Sequence, residues 1–538
     1  MSHGYNVAPL SEANSGIGTD GEELIVSSGS EGSPRIAKRN GGWTVLLLLA
    51  AVTTTIGSCV PAGYNIGVVN APAEIIKKFC NETVLYRYHR QLSPIALEAL
   101  WSSIVSIFVI GGVIGSFAGS ASADRWGRKG SIIMTDILGL VASLCFILSK
   151  EVSSVEALLI GRFIIGLSSG LSTAVTPMYL TELAPLKLRG ATGVLCPVGL
   201  TVGVLLSQVM GLESVLGREN TWHYLLALYS ILNLATVFIM PRLPESPKYL
   251  AAIRRQEDRA INELVRIRRC KEELLIGEIE QMRKDIATEM QQIHWTTNKV
   301  WRDSELRLPL LLVCALQAGQ QFSGINAVFY YSIKIFESAG LSTTQSKYAN
   351  LGAGAFNLLA GIISIYTMNR FGRRRLLLIS TCSVIICLCL LVLSIALSAL
   401  NSDFSYVSVV AVLSYVLIYG LGLGPIPYFI GTELFQVGPR PVAMAWGSMS
   451  NWSANFAVGM LFPFVQSAIG EYSFLIFILI TAALTVLVII YFPETKDRPE
   501  TEISELLKYG FKSNIKKKIS RQETTRPLAE TDLESPDK

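Results

Sequence analysis

The chain has 538 residues, of which 50% are hydrophobic and 16% are charged, and its formal net charge is +5. A composition this apolar excludes an ordinary soluble domain and indicates a protein that lies largely within a membrane. The small positive charge comes from basic residues in loops and tails, so it gives no indication of nucleic-acid binding.

Apolar stretches long enough to cross a bilayer recur along the sequence. Residues 1–40 are polar and rich in Ser and Gly, which predicts a disordered tail, and we expect no cleavable signal peptide there. After this tail we predict twelve spans, at residues 43–68, 100–120, 130–149, 155–177, 190–211, 222–241, 307–332, 346–368, 374–398, 405–431, 441–466 and 473–492.

Three short charged motifs occur twice, in the same order, about half a chain apart. Asp-Arg-Trp-Gly-Arg-Lys at 124–129 returns as Asn-Arg-Phe-Gly-Arg-Arg at 369–374, Thr-Glu-Leu at 181–183 returns at 432–434, and Pro-Glu-Ser at 244–246 returns as Pro-Glu-Thr at 493–495. The offsets are 245, 251 and 249 residues. A near-constant offset predicts two homologous six-helix halves, and two such halves facing each other are typical of a transporter with one site between them.

Basic residues concentrate in the short loops that follow even-numbered spans, such as Arg125, Arg128 and Arg374. By the positive-inside rule, these loops, both termini and the segment 244–306 face the cytoplasm. The opposite side then carries Asn81-Glu-Thr, an acceptor sequence for N-glycosylation. We therefore predict a glycan on Asn81.

The second span carries four glycines at close spacing, Gly111, Gly112, Gly115 and Gly119. Small residues four positions apart let two membrane helices approach closely. We expect a close helix crossing at these glycines.

Asp136 is the embedded acid of the third span that could carry a proton. It lies two helical turns beyond Lys129, so an ion pair with a nearby basic group, or a side chain that reaches the interface, is the alternative. Because that alternative is the commoner one, passive transport is favoured over proton-coupled transport.

A charged segment separates the sixth and seventh spans. Its charges alternate in sign, with Ile, Leu and Met at helical spacing between them, which predicts amphipathic helices. The predicted fold class is therefore an all-α membrane protein of twelve transmembrane helices in two pseudo-symmetric six-helix halves, with a cytoplasmic helical insert. We expect five parts: a disordered cytoplasmic tail at 1–40, a six-helix half at 41–243, a cytoplasmic helical linker at 244–306, a second six-helix half at 307–500 and a cytoplasmic tail at 501–538.

Amide side chains concentrate in the spans of the second half, and each offers donors and acceptors without charge. A cluster of uncharged amides suits a neutral ligand with many hydroxyl groups, although single amides also tie helices together. The amides and the aromatic residue beside them are Gln317, Gln320, Gln321 and Asn326 in the seventh span, Asn357 in the eighth, and Asn451, Trp452 and Asn455 in the eleventh.

The tenth span contains two prolines, Pro425 and Pro427, which remove backbone donors and must break its helix. A helix broken at membrane depth is tolerated only where it faces protein or a water-filled cavity. We predict a moving gate here, with a static kink as the alternative. Tyr428 lies beside the break, and Tyr330 and Tyr331 follow the seventh-span amides, where they could close over a ligand.

The duplicated loops also supply acidic residues, which topology alone does not explain. Ion pairs among these charges would hold the cytoplasmic ends together when the site faces outward and would break when it faces inward. The predicted salt-bridge latch consists of Arg125, Arg128, Glu182, Arg189, Arg370, Arg373, Glu433 and Arg440.

Signals of catalysis are missing from the sequence. His3, His89, His223 and His294 have no metal-ligand spacing, and no glycine-rich phosphate loop is followed by a lysine. We expect no enzyme activity, no ATP-driven pumping, no metal and no cofactor.

The motifs in their order resemble the sugar porters of the major facilitator superfamily and, among them, the facilitative glucose transporter family of animals. The resemblance covers about residues 43–506 and rests on Gly63-Tyr-Asn, Asn70-Ala-Pro, Asp124-Arg-Trp-Gly-Arg-Lys, Tyr179 with Glu182 and Arg189-Gly, Pro244-Glu-Ser-Pro-Lys-Tyr-Leu, Gln320-Gln-Phe-Ser-Gly-Ile-Asn, Gly424-Pro-Ile-Pro-Tyr and Phe492-Pro-Glu-Thr-Lys. It implies hexose binding by Gln320, Gln321, Asn326 and Asn357, completed by the tenth and eleventh spans. It also implies the major facilitator fold and alternating access without a coupling ion.

The sequence departs from the glucose-transporting pattern at several positions. Pro197 follows Cys196 where the family has a Gln, Tyr428 replaces a Trp, Gly420 replaces an acid and Phe322 replaces a Leu. These departures bear on which hexose is carried and not on the class of protein.

The leading hypothesis is facilitative uniport of a hexose, with D-glucose the first candidate, across the plasma membrane. Two others differ from it in mechanism. One is a proton-coupled sugar symporter that uses Asp136, and the other is a non-transporting sugar sensor that signals through the linker or the tails.

Overall fold

The computed structural model describes residues 42–185, 188–291, 295–398, 401, 403–436, 438–496, 498 and 500–512. The predicted tail at 1–40 and residues 513–538 of the second tail lie outside these ranges. All regular elements in the described ranges are helices, without a β-strand.

Ten helical segments in the described ranges are long and apolar enough to cross a membrane. Two of them, Pro94–Glu151 with 58 residues and Arg440–Tyr491 with 52, are long enough for two crossings each, because about 20 residues span the hydrocarbon core. Counting these two twice gives twelve crossings. The structure thus confirms the all-α fold class with twelve transmembrane helices.

Glycines in the left-handed backbone region separate or break several spans. The second and third spans, 94–126 and 128–151, part at Gly127 with φ 84°. The eleventh and twelfth, Arg440–Ile469 and Ser473–Tyr491, part at Gly470 with φ 58°. Glycine adopts positive φ without the steric cost that a Cβ brings.

The remaining spans of the first half follow the predicted order. They are the first span, made of Val45–Thr54, the π-helical turn Thr55–Cys59 and Val60–Gly67; the fourth, Val155–Leu183; the fifth, Arg189–Met210; and the sixth, made of Trp222–Ala227 and Ser230–Ile239. The segment between the first and second spans contains a helix, Ala73–Tyr88.

The second half has two broken spans. The seventh consists of Arg307–Phe322 and Ile325–Ser338, and the tenth consists of Asp403–Leu421 and Ile426–Leu434. The eighth, Thr343–Arg370, and the ninth, Arg373–Ser398, are continuous. The break before Pro425 and Pro427 is the one that the prolines predict, whereas movement of a gate there stays a prediction.

The glycines of the second span form the predicted close helix crossing, and the structure shows that the partner is the fourth span. A Cβ built on Gly111 would overlap the carbonyl oxygen of Phe163, and one built on Gly115 would overlap that of Leu167. The fourth span also has a glycine at this crossing, Gly170, because a Cβ there would overlap the carbonyl oxygen of Gly112. The two backbones are in direct contact along this crossing.

The linker between the halves forms four α-helices in the described ranges, Pro247–Ala252, Glu257–Arg268, Ile276–Gln291 and Thr297–Arg302, and a 3₁₀ helix, Glu272–Leu275. Arg268 is 4% exposed, donates to the carbonyl oxygen of Leu183 at 2.8 Å and pairs with Glu278 at 2.7 Å. Thr44, just before the first span, donates to the carbonyl oxygen of Ile267 at 2.7 Å. This side of the bundle is called the linker side below, and the other is called the opposite side.

The duplicated motifs build the same network in each half, on the linker side. Arg128 Nε donates to Glu182 at 2.9 Å, and the hydroxyl of Ser246 donates to the same carboxylate. The Glu245 carboxylate accepts the backbone N–H of Lys129 at 3.2 Å, and burial raises its pKa. The network therefore joins the start of the third span to the ends of the fourth and sixth.

The second half repeats this network with one difference: its backbone donor is Arg373, the counterpart of Arg128, and not the counterpart of Lys129. Arg373 Nε donates to Glu433 at 3.1 Å, and the hydroxyl of Thr495 donates to the same carboxylate. Glu494 accepts the backbone N–H of Arg373 at 2.7 Å. Sequence duplication thus has a structural counterpart, and the fold has the predicted pseudo-symmetry.

We expect Gly127→Ala to destabilise the protein, because the new Cβ meets two obstacles. The backbone there has φ 84°, and the Cβ would lie 2.5 Å from Glu245 Oε2. The expected loss is roughly 1–3 kcal/mol, seen as a lower melting temperature of the purified protein. Gly130→Ala is the matched control, since its nearest neighbour lies at 3.3 Å on a side chain; equal loss in both variants would contradict this account.

Candidate functional site

The predicted amides of the seventh and eleventh spans meet in one buried network. Asn451 is its centre: its Nδ2 donates to Gln317 Oε1 at 2.9 Å and to Gln320 Oε1 at 2.6 Å. Its Oδ1 accepts Gln321 Nε2 at 3.0 Å. Asn326 Nδ2 extends the chain to Gln321 Oε1 at 2.5 Å. The structure therefore brings together five amides that the sequence separates by up to 134 positions.

The same amides support the broken tenth span. Gln317 Nε2 donates to the carbonyl oxygen of Pro427 at 2.9 Å, and Gln320 Nε2 donates to that of Gly424. A break in a helix leaves carbonyl oxygens without their usual partners, and buried ones must be satisfied elsewhere. Some of these amides thus tie helices together, which is the alternative role that the sequence analysis gave for single amides.

Other predicted site residues have side-chain polar groups that make no hydrogen bond within the described part of the chain. The amide of Asn357, the indole N–H of Trp452 and the hydroxyl of Tyr428 make no hydrogen bond there, and Tyr428 is 58% exposed. Asn455 Oδ1 accepts the Tyr330 hydroxyl at 3.2 Å, while its Nδ2 makes no hydrogen bond to a described residue. The cluster therefore combines a bonded scaffold with groups that remain able to bind a ligand.

Two predicted gating tyrosines of the seventh span are buried and bind the eleventh span. Tyr330 is 1% exposed and Tyr331 is 4% exposed. Tyr331 donates to the carbonyl oxygen of Gly459 at 2.7 Å, so both tyrosines are tied to the eleventh span.

The site lies where the halves touch. The eleventh span of the second half packs on the second span of the first, and a Cβ on Gly112 would overlap the indole ring of Trp452. The absence of a side chain at Gly112 is what lets Trp452 reach the first half.

Two of the departures from the glucose-transporting pattern lie in the fifth and tenth spans. Pro197 is exposed, while Cys196 beside it is buried and contacts Cys59 of the first span. Gly420 packs on Ala360, whose Cβ lies 2.5 Å from the position of a Cβ on Gly420. A larger residue at 420 would push the tenth span away from the eighth, one turn from Asn357.

A polar cluster missed by sequence reasoning joins the halves on the opposite side. Asn350 Oδ1 accepts the hydroxyl of Ser332 at 2.7 Å, Gln208 Nε2 at 3.0 Å and Asn70 Nδ2 at 3.4 Å. Asn70 and Gln208 belong to the first half, and the other two belong to the second. All four are at most 3% exposed, so they close the opposite side of the bundle.

Arg162 in the fourth span was also missed. It is fully buried, and its guanidinium donates to the carbonyl oxygens of Asn65 at 3.0 Å and Ile104 at 3.2 Å. A charged residue within an apolar span is a functional candidate by itself, and this signal was present in the sequence.

Asp136 forms no ion pair with any described residue and is 0% exposed. Its Oδ1 accepts the Ser58 hydroxyl at 3.2 Å, and its Oδ2 has no hydrogen-bond partner there. The expected alternative, pairing with a basic group or reaching the interface, is therefore wrong for this structure.

The residues of the predicted latch lie on the linker side, in two groups that each belong to one half. Arg128 pairs with Glu182, and Arg373 with Glu433. The other four arginines make contacts within their own half or are exposed. The guanidinium of Arg125 lies 5.7 Å from the centre of the Trp126 ring, and Arg189 is exposed. Arg370 donates to the Tyr366 hydroxyl at 2.6 Å, and Arg440 donates to the carbonyl oxygen of Phe435 at 3.1 Å. A latch across the halves stays a prediction.

Comparisons with known proteins agree with this arrangement. Residues 50–507 match the family model described as "Sugar (and other) transporter". The chain is 38% identical over 467 residues to "Solute carrier family 2, facilitated glucose transporter member 1" of Gallus gallus, a match that covers 87% of this chain and 94% of the relative. It is 39% identical to member 3 of Gallus gallus, covering 88% and 93%, and 37% identical to member 5 of Equus caballus, covering 87% and 93%.

A solved structure shares the fold. The inward open conformation of the xylose transporter XylE from E. coli superposes with a TM-score of 0.70 at 23% identity, covering 86% of this chain and 99% of that one. At this identity the likeness concerns the fold alone.

Proposed function

Because the chain belongs to the sugar transporter family and, within it, to the facilitated glucose transporters, we propose that it carries a hexose, D-glucose in the first place, by facilitative uniport. It is a multi-pass membrane transporter and not an enzyme. The curated relatives are named for glucose, and the departures at Pro197, Gly420 and Tyr428 are where a different hexose preference would arise.

The observation that carries this proposal is the amide cluster of the second half. Uncharged amides can donate to and accept from the hydroxyl groups of a sugar. Asn357, Trp452, Tyr428 and the Nδ2 of Asn455 supply free polar groups and an aromatic face, while Gln317, Gln320, Gln321 and Asn451 hold the helices that carry them.

Alternating access follows from a site between two halves that are closed on one side. The Asn350 cluster seals the opposite side, whereas the ion pairs of the duplicated motifs on the linker side stay within each half. Rocking of the halves would break the seal and bring the linker-side ends together. Pro425, Pro427, Tyr330 and Tyr331 are then the gating residues.

The linker side is proposed to face the cytoplasm, together with both termini, and the membrane to be the plasma membrane. The basic residues of the linker-side loops support this orientation. It places Asn81, in the helix Ala73–Tyr88, on the outer side, where a glycan could be attached.

The test of function is uptake of labelled sugars by proteoliposomes that contain the purified protein. We expect saturable entry of D-glucose down its gradient, unchanged by an imposed proton gradient. Failure with glucose, fructose and galactose alike would contradict the proposal.

A second arm of this experiment tests proton coupling, which the buried and unpaired Asp136 makes worth examining. Uptake by Asp136→Asn is compared with that of the unchanged chain under an inward proton gradient. Acceleration of the unchanged chain, lost in the variant, would replace uniport by symport.

A further inference from the structure

Three charged residues meet across the two halves on the opposite side. Lys77 Nζ lies 3.0 Å from Glu98 Oε2, and Lys334 Nζ lies 3.3 Å from Glu98 Oε1. Each ammonium thus has its own oxygen of Glu98, and Lys77 Nζ also lies 3.2 Å from Oε1 of Glu74, whose side chain is 81% exposed. The three residues, called the triad below, lie on the helix Ala73–Tyr88, at the start of the second span and in the seventh span.

We propose that the triad sets how often the outer side opens, with Glu98 shared between a permanent partner, Lys77, and a switching partner, Lys334. This inference rests on the proposed alternating access and names residues that control its rate. It concerns positions outside the amide cluster and outside the duplicated motifs.

The division of roles follows from where the residues belong. Lys77 and Glu98 are both in the first half, so their contact persists when the halves separate. Lys334 belongs to the second half and must leave Glu98 each time the outer side opens. The partner that leaves is also the more exposed one: the Lys334 side chain is 40% exposed, against 10% for Lys77 and 19% for Glu98.

Sharing lowers the barrier to opening. A half-buried carboxylate left without any cation loses its compensation for desolvation, which is the main cost of breaking such a pair. Lys77 keeps Glu98 compensated after Lys334 has left. The detached Lys334 ammonium, already 40% exposed, regains its hydration.

This arrangement predicts opposite effects for the two lysines. Lys334→Gln removes an attraction that exists only in the closed state, so the outer side opens more often. Lys77→Gln leaves Lys334 as the main partner of Glu98. Opening then leaves the Glu98 carboxylate without a nearby cation, so the outer side opens less often. A simple ionic lock, by contrast, would be weakened by both substitutions.

Ser106 is a suitable reporter of opening. It is 1% exposed, its hydroxyl makes no hydrogen bond to a described residue, and Gly459 of the other half covers it. In the variant Ser106→Cys, a charged, membrane-impermeant maleimide added outside intact cells reaches the thiol only when the halves part. The chain without this substitution gives the background from native cysteines, and inside-out vesicles test the assumed orientation.

The labelling rate of Ser106→Cys is measured by mass spectrometry in the unchanged background and with Lys334→Gln, Lys77→Gln or Lys78→Gln. Lys78 is the matched control, because it pairs with Glu219 within the first half at 2.8 Å. We expect labelling about two- to fivefold faster with Lys334→Gln and slower by a similar factor with Lys77→Gln, the size of a partly exposed ion pair. Lys78→Gln should leave the rate unchanged.

Faster labelling with Lys77→Gln would overturn the sharing of Glu98, and no change with Lys334→Gln would overturn the triad altogether. The readout needs no sugar flux. If the protein transports no hexose but labelling is faster with Lys334→Gln and slower with Lys77→Gln, the proposed substrate is refuted and the role of the triad in opening is supported.

Discussion

Replacing Asn451 by alanine is expected to reduce hexose uptake at least about tenfold, because this residue holds the amide cluster together. Its side chain binds Gln317, Gln320 and Gln321 at once. Truncation leaves their buried polar groups without partners, at a cost of roughly 1–3 kcal/mol for each unsatisfied group. The measurements are initial uptake rates in proteoliposomes and the melting temperature, and both should fall.

Asn357→Ala is the matched comparison for Asn451→Ala. Its amide makes no hydrogen bond to the described residues, so the melting temperature should stay unchanged. If it binds sugar, the KM for D-glucose should rise about two- to tenfold, the value of one neutral hydrogen bond. A stable Asn451→Ala protein with normal uptake would contradict the role of the cluster.

Gly170→Ala is expected to disrupt the first half, although only one methyl group is added. The Cβ would overlap the carbonyl oxygen of Gly112 on the second span, and backbone cannot move aside as a side chain can. Overpacking of this kind costs about 1–3 kcal/mol or more. We expect a lower melting temperature and less folded protein in fluorescence-detected size-exclusion chromatography.

The control for this substitution is Gly193→Ala, in the fifth span, where a Cβ would meet no atom within 4 Å. Because alanine is the better helix former, this variant should be as stable as the unchanged chain or slightly more so. The opposite order of stability would refute the backbone contact between the second and fourth spans.

Features that depend on local sequence were predictable here. Pro425 and Pro427 break the tenth span because proline lacks the backbone donor wherever it lies. The close crossing at the second span was predictable for a similar reason, because glycines four positions apart in the sequence mark a helix face that a second helix can approach closely. The repeated motifs likewise predicted two halves from chain order alone.

Contacts between distant residues were not predictable in the same way. Asn70 and Asn350 are 280 positions apart, and neither pattern nor composition pairs them. The duplicated charges presented a related difficulty. From the sequence, Arg128 could pair with Glu182 of its own half or with Glu433, the equivalent residue of the other half. Only the folded chain shows that Arg128 pairs with Glu182. For Asp136, distance along the helix to Lys129 wrongly favoured an ion pair, because the side chain points toward Ser58 of the first span.

The central claim is that this chain equilibrates a hexose through a site between two rocking halves, without a driving ion. The most direct test is the steady-state ratio of internal to external labelled D-glucose in proteoliposomes, with and without an inward proton gradient. We predict a ratio of about one in both conditions, because a uniporter changes the rate of transport and not its equilibrium. Accumulation of the sugar inside under the proton gradient would contradict the account.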